Sequence, residues 1–311
     1  CRKNRKFIVK RQRLMVHGWI NLYKPTGFTS SYCLNLLKKK FKLKKIGHIG
    51  TLDPMAEGVL PIAINEAAKT IPLINKSKKT YFFEVNWGKQ TNTLDSEGEV
   101  INISKIIPSY EDIKKTIKKF VGKINQSPPK FSAKKIDGKR AYQLAREGIE
   151  FELKRVKKEI YGLKILNHDF NSKKSLFVVS CESGTYVRSL AKDIAIELKT
   201  FCYCSKIVRL RDGIFRKKNS NTLKTLINNE NINDFFKYML DIKSVLYHIP
   251  TIKINDKKLK LIKNGMKVSM LEEVGSKEHK EILADYHQNV VALGSMKNGV
   301  FYPKRILNIN D

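Results

Sequence analysis

From residue 47 to residue 60 the chain reads Gly47-His48-Ile49-Gly50-Thr51-Leu52-Asp53-Pro54-Met55-Ala56-Glu57-Gly58-Val59-Leu60, its densest run of glycines and small side chains. Glycines let a backbone approach a ligand closely, and the loop offers one carboxylate, Asp53, of the type that serves as a nucleophile or base. Two readings of Asp53 stand on the residues alone. In the plainer one, Asp53 is the N-cap and Pro54 the first residue of a helix. The order GxxxxGK[ST] and the order GxGxxG are both missing here, so the run gives no support to a nucleotide cofactor. His48, lying between glycines, suits a surface position as well as a catalytic one. Tyr81, Tyr186 and Arg188 are ordinary for a strand and a helix start, and neither a Ser/His/Asp set nor a metal-binding carboxylate set is visible. The five cysteines, Cys1, Cys33, Cys181, Cys202 and Cys204, form no CxxC pair and no zinc spacing, so neither disulfides nor zinc is expected.

The elements that must hold these residues follow from periodicity. Trp19 to Leu22 reads as a short strand, Pro25 to Gly27 as a turn, and Thr29 or Ser30 as the cap of a helix with Leu34, Leu37 and Phe41 on one face. Its other face and the residues just beyond carry Lys38, Lys39, Lys40, Lys42, Lys44 and Lys45, either a solvated face or a surface that tracks phosphates. Thr80 to Trp87 alternates Tyr81, Phe83, Val85 and Trp87 against more polar neighbours, which is a strand. Ser109 caps a helix using Ile113, Ile117 and Phe120 and closed by Gly122. Leu176 to Glu182 is a second clear strand, leading through Ser183-Gly184-Thr185 into a helix with Val187, Leu190, Ile194 and Leu198 inward. Strands and helices are interspersed, which places the body in the mixed α and β classes. Beyond about residue 245 short strands take over, with turns at Asn264-Gly265 and Lys297-Asn298-Gly299. The expected partition is a basic unstructured extension over 1–14, a catalytic body over 15–245 and a small β-rich unit over 246–311.

Charge narrows the partner. Of 311 residues, 61 are Lys or Arg and 29 are Asp or Glu, a formal +32, whereas solubility alone asks for a magnitude of roughly 2–8. Codon bias in an AT-rich genome inflates lysine, but an excess this large also calls for a polyanion, and nucleic acid is the first candidate. Residues 1–14 hold +7 and residues 250–311 hold +4, which leaves +21 on the body. No uninterrupted apolar run approaches the ~18 residues of a membrane span, and the basic start is followed by no apolar signal region, so a soluble intracellular protein is expected.

Four ordered blocks carry a resemblance: GHIGTLDPMAEGVLPIA around Asp53, Lys79-Thr80-Tyr81 with the TNTLDSEGEV that follows, QSPPKFSAKKIDGKRAYQLAREG over 126–148, and GTYVRSLAKD over 184–193. Together they resemble the bacterial TruB-type tRNA pseudouridine synthases, from about His17 to Phe215 and more weakly beyond. The resemblance implies an α+β pseudouridine-synthase fold, a mixed and largely antiparallel sheet with flanking helices, followed by a PUA-like C-terminal domain. It also implies isomerisation of the T-arm uridine of tRNA, conventionally number 55, with no cofactor or metal. Carried over by position, Asp53 would be the nucleophile, Tyr81 would stack on the target base and Arg188 would pair with Asp53. His48, Tyr186 and Ile207 would line the base and the refolded loop, and Lys69 would support the site. The chain departs from the family pattern at Asn65 and Ala68, and in LKTFCYCSKIVRLRDGIF over 198–215 at Lys199, Cys202, Tyr203 and Val208. The expected partner is tRNA, with no membrane and no protein partner, and the chain is expected to be a monomer in the cytoplasm, or in a mitochondrion if residues 1–14 are a presequence. A pseudouridine synthase acting on another structured RNA and a non-catalytic RNA-binding or RNA-folding protein are the alternatives; the joint presence of Asp53 and Arg188 favours catalysis.

Overall fold

The computed structural model describes residues 17–74 and 77–309, and the basic extension expected over 1–14 lies outside them. Local sequence sets the elements much as expected. Thr29 caps the helix Ser30–Lys40 by accepting the N–H of Tyr32, and Cys33, Leu34 and Leu37 face inward. Its last turn holds Lys38, Lys39 and Lys40, cations that suit the negative end of the helix dipole. Ser109 caps Tyr110–Ile117 through the N–H of Asp112. In Lys79–Trp87 alternate side chains, Tyr81, Phe83, Val85 and Trp87 among them, are buried.

The body is an α+β fold around one large mixed sheet. Its main path runs Asn221–Thr222, Gly18–Lys24, Glu57–Ile64, Cys202–Asp212, Lys79–Trp87, Lys174–Cys181, Val156–Asp169 and Gly122–Gln126. Most neighbours are antiparallel; Gly18–Lys24 with Asn221–Thr222 and Cys202–Asp212 with Glu57–Ile64 are the parallel pairs on that path. The strand Cys202–Asp212 is a finding, since its charged text (KIVRLRD) hides a central position between two buried neighbours. Against the sheet, Phe83 stacks on Phe177 with ring centroids 5.0 Å apart, and Leu190 and Ile194 of the helix Val187–Glu197 complete the core.

A second sheet of five strands, in the order Thr251–Lys253, His279–Tyr286, Asn289–Lys297, Val300–Ile306 and Val268–Ser269, forms the expected β-rich C-terminal part. Its hairpin at Asn298-Gly299 has φ of 49° and 70°, the left-handed pair that an Asn-Gly turn allows. This sheet does not hang on a linker. Leu283, Val290, Leu293 and Leu307 share one apolar cluster with Trp19, Val59, Ala63 and Phe215 of the body, and Ile242, Val245, Leu246 and Ile249, which straddle the expected boundary, fill the space between.

That shared cluster generates a prediction. Removing residues 246–309 strips the cover from Trp19, Val59 and Phe215, so the shortened chain should melt well below the whole protein and its tryptophan emission should shift to the red. An unchanged melting temperature would show that the second sheet is thermodynamically independent. Leu293→Ala in the full chain should cost about 2–5 kcal/mol in urea denaturation, the range for a buried leucine.

Candidate active site

Asp53 caps no helix. The segment around it is irregular, with the Ala56 N–H returning to the Asp53 carbonyl at 3.1 Å. The loop is instead pinned from both sides by residues 24–30. Ser30 Oγ donates to the Leu52 carbonyl at 3.0 Å and accepts the Leu52 N–H at 2.9 Å, and the Gly27 N–H donates to the Pro54 carbonyl at 2.9 Å. Lys24, fully buried, donates to the carbonyls of Pro25, Phe28 and Pro54 at 2.8, 2.6 and 3.2 Å. Burial pulls its ammonium down to about 8, against the opposing charges of Asp53 and other acids nearby.

The carboxylate so held faces Arg188, at the start of the helix Val187–Glu197. Arg188 Nη2 lies 2.8 Å from Asp53 Oδ2, and Nη1 lies 3.0 Å from Asp95 Oδ2. The two backbone carbonyls of Thr93, at 2.7 Å, and Phe131, at 3.0 Å, accept its other hydrogen bonds. Asp95 is itself fixed, accepting from Thr93 Oγ1 at 2.6 Å and from the Glu97 N–H at 3.1 Å. Arg188 and Asp95 are 4% and 3% accessible while Asp53 is 38%, so one member of the triplet opens to solvent and the other two form its base. Burial pushes the Asp53 carboxyl above the usual range; Arg188 opposes that shift and Asp95 adds to it.

The opening is a cleft of about 430 Å³ lined by Asp53, Tyr81, Lys134, Arg140, Tyr186, Arg188, Ile207 and Arg209, among others. Tyr81 is buried in its wall, its strand partners being Val179 on one side and Arg209 on the other. Burial raises the Tyr81 phenol, and the neighbouring Arg209 guanidinium works against that. Tyr186 is tied by its backbone, donating its N–H to Gln126 Oε1 at 2.8 Å and accepting Gln126 Nε2 at 3.0 Å. A cleft of this size with one accessible carboxylate suits a flipped nucleoside.

Five of the seven residues singled out in the sequence, Asp53, Tyr81, Tyr186, Arg188 and Ile207, therefore meet around one cleft. Two do not line it. His48 is half-buried in the short strand Ile46–His48, with Nε2 3.1 Å from Thr51 Oγ1; burial, then the charge of Arg209, lowers its pKa. Lys69 lies away from the cleft: its ammonium bonds Glu66 at 2.6 Å and the Ile306 carbonyl at 2.7 Å, fastening the body to the second sheet. Arg305 in turn donates to the Lys69 carbonyl at 2.8 Å, and the Asn308 N–H bonds Glu66 at 2.9 Å.

Asp95, Lys24 and Arg209 were missed. A signal existed for Arg209, an arginine inside the apolar run Ile207-Val208-Arg209-Leu210, since a charge buried in a strand needs partners. Arg209 donates Nε to the Val59 carbonyl at 2.6 Å and sits 3.6 Å from Asp212, which also holds Lys79 at 2.5 Å. It also explains two glycines of the motif. At Gly58, with φ of +110° and Arg209 as its strand partner, a Cβ would meet the Arg209 carbonyl oxygen at 2.3 Å; at Gly50, with φ of +61°, it would meet Arg209 Nη1 at 2.8 Å. All four described cysteines are free and buried, and among the described residues no group of three or more His, Cys, Asp and Glu is placed to hold a metal ion. No helix among them is long and apolar enough to cross a membrane.

The chain is similar to known proteins. Residues 38–187 match the model of the TruB family pseudouridylate synthase N-terminal domain. The tRNA pseudouridine synthase B of Ehrlichia chaffeensis is 41% identical over 94% of this chain and 100% of its own length, and that of Rickettsia bellii is 38% identical over 94% and 98%. Among solved structures, an archaeal box H/ACA Nop10-Cbf5 complex matches with a TM-score of 0.69 at 23% identity, covering 96% of this chain and 88% of that one, which shows a shared fold.

The network under Tyr81 makes a stability prediction. Asp212→Ala leaves Lys79 and Arg209 buried without their carboxylate, so it should cost about 3–5 kcal/mol in urea denaturation. A cost below about 1 kcal/mol would mean that water or rearrangement already compensates both cations.

Proposed function

Since the chain belongs to the TruB family of pseudouridylate synthases, we propose that its cleft isomerises the T-arm uridine of tRNA to pseudouridine, with Asp53 as the nucleophile. The observation that carries this reading is the Asp53–Arg188–Asp95 triplet, which presents one accessible carboxylate over a buried cation inside a cleft of nucleoside size. A purely RNA-binding surface gains nothing from a carboxylate aimed at a phosphate-rich ligand.

The reaction must break the N1–C1′ bond and form C5–C1′, with the C5 proton lost and a proton gained at N1, so the atoms balance without a co-reactant. A carboxylate that attacks the ribose C1′ or the pyrimidine ring holds one fragment while the base turns over. Arg188 keeps that carboxylate ionised and aimed, against the burial that favours its protonated form. A stacked uridine hides its glycosidic bond, and extracting it costs a few kcal/mol. Stacking on Tyr81 offsets that cost by about 1–3 kcal/mol. Ile207 and Tyr186 close the pocket around the base. His48 braces Thr51, which lines the cleft.

Mapping pseudouridine in transcribed tRNA tests this. Asp53→Asn keeps the shape and removes the nucleophile, so modification should vanish while tRNA affinity is retained; normal yield from the folded variant eliminates the mechanism. The wild-type rate should fall as pH is lowered through the raised pKa of Asp53, because the attacking form is the carboxylate. Arg188→Gln removes the charge that opposes the shift, so its acid limb should move to higher pH, and a limb that stays in place would show that another group titrates.

A further inference from the structure

We propose that Phe28 and Tyr32 form a stacking platform for an unpaired nucleobase of the substrate RNA, next to the uridine that enters the cleft, a subsite that rests on the reading of the cleft given above. The two rings lie nearly parallel, with centroids 5.0 Å apart and planes at 15°. Neither is buried: Phe28 is 39% and Tyr32 47% accessible. Stacked on each other, two rings still leave outer faces without a partner, and every base has a face that fits one, whatever its identity.

The platform is fastened to the nucleophile's loop. Asp53 lies between Leu52 and Pro54, and both are bonded to the segment that carries the rings: Leu52 twice to Ser30 Oγ, and Pro54 to the Gly27 N–H and to Lys24. The same Lys24 ammonium holds the Phe28 carbonyl at 2.6 Å, and Thr26 Oγ1 bonds the Met55 carbonyl at 3.0 Å. A base seated on these rings is therefore held in register with Asp53.

Charge identifies the occupant. From Tyr32 the helix Ser30–Lys40 runs on at about 1.5 Å per residue into Lys38, Lys39 and Lys40, and the chain continues through Lys42, Lys44 and Lys45. All six are exposed, and the stretch from Ser30 to Lys45 contains no acid. Aromatic faces beside an acid-free row of lysines are the two ingredients of single-strand binding, a stacking surface and a phosphate track. A second copy of a chain carrying +32 would be repelled from the same surface. The chemistry also supplies a need: extracting one base from a folded loop leaves its neighbour without a stacking partner, and the platform replaces it.

The experiment uses the full chain and transcribed tRNA, measuring Kd by filter binding and KM and kcat by pseudouridine formation. The paired substitution Phe28→Leu with Tyr32→Leu keeps apolar volume but removes the ring faces; Kd and KM should rise about 5- to 20-fold, with the larger part of the effect in KM rather than kcat. Phe28→Tyr with Tyr32→Phe restores ring faces and should recover most of the affinity, which a packing role would not require. The leucine pair should leave the salt slope of binding unchanged, whereas Lys39→Gln with Lys42→Gln should lower it by about 1 for each phosphate no longer neutralised. Wild-type Kd in the leucine pair overturns the proposal, as does an equal weakening in the aromatic pair, or sedimentation showing a dimer that the leucine pair breaks without changing RNA affinity. Wild-type protein that binds tRNA with these dependences yet forms no pseudouridine would instead overturn the reading of the cleft and leave the platform standing.

Discussion

One guanidinium shared between two carboxylates holds this site together. Arg188 is 4% accessible, and a cation so placed is tolerable when its donors are met; here two carboxylates and two backbone carbonyls meet them. Because those acceptors come from the loops at 53, 93–95 and 131, one side chain fixes the relative position of three segments distant in sequence. Asp95 and the two carbonyls anchor Arg188, which is then free to orient Asp53. The accessible carboxylate thus acquires a direction and a charge state that a loop aspartate in water would lack, despite burial that raises its pKa.

A second buried cation gives the cleft its shape. Arg209 stands beside Tyr81 in the sheet, bonds the Val59 carbonyl, leaves no room for a Cβ at Gly58 against its backbone, and lays its guanidinium against Gly50. Motif glycines that suggested close approach to a ligand are in fact shaped by a strand far along the chain. The Asp53 loop and Tyr81 both border this one residue, with Asp212 and Lys79 completing the charge balance around it.

Two cores give these interactions something rigid to rest on. The larger lies under the sheet and helices of the body; the other joins the body to the C-terminal sheet through Trp19, Val59 and Phe215. Glu57–Ile64, the strand that leaves the Asp53 loop, contributes to both, with Leu60 and Ile62 in one and Val59 and Ala63 in the other. The C-terminal sheet is thereby coupled to the loop through packing, and the hydrogen bonds among Lys69, Glu66, Asn308 and Arg305 reinforce the join at the surface.

By itself the sequence determined whatever depends on neighbours along the chain. Period-two alternation placed the strand around Tyr81 and an apolar run the one around Phe177, Thr29 and Ser109 placed helix starts, Asn298-Gly299 placed a hairpin, and the lysine excess indicated a polyanionic partner, since each of these signals is local or additive. Ordered blocks of residues added the family and its aspartate. Tertiary structure decided what depends on partners far apart: that Asp53 caps no helix, that Asp95 sits behind Arg188, that the charged strand Cys202–Asp212 runs through the middle of the sheet, and that Lys69 belongs to the join between the sheets. The physical reason is the same in each case. A buried charge is stable only where the fold brings its counter-charge and carbonyls to it, and no spacing within one segment records which distant segment will supply them.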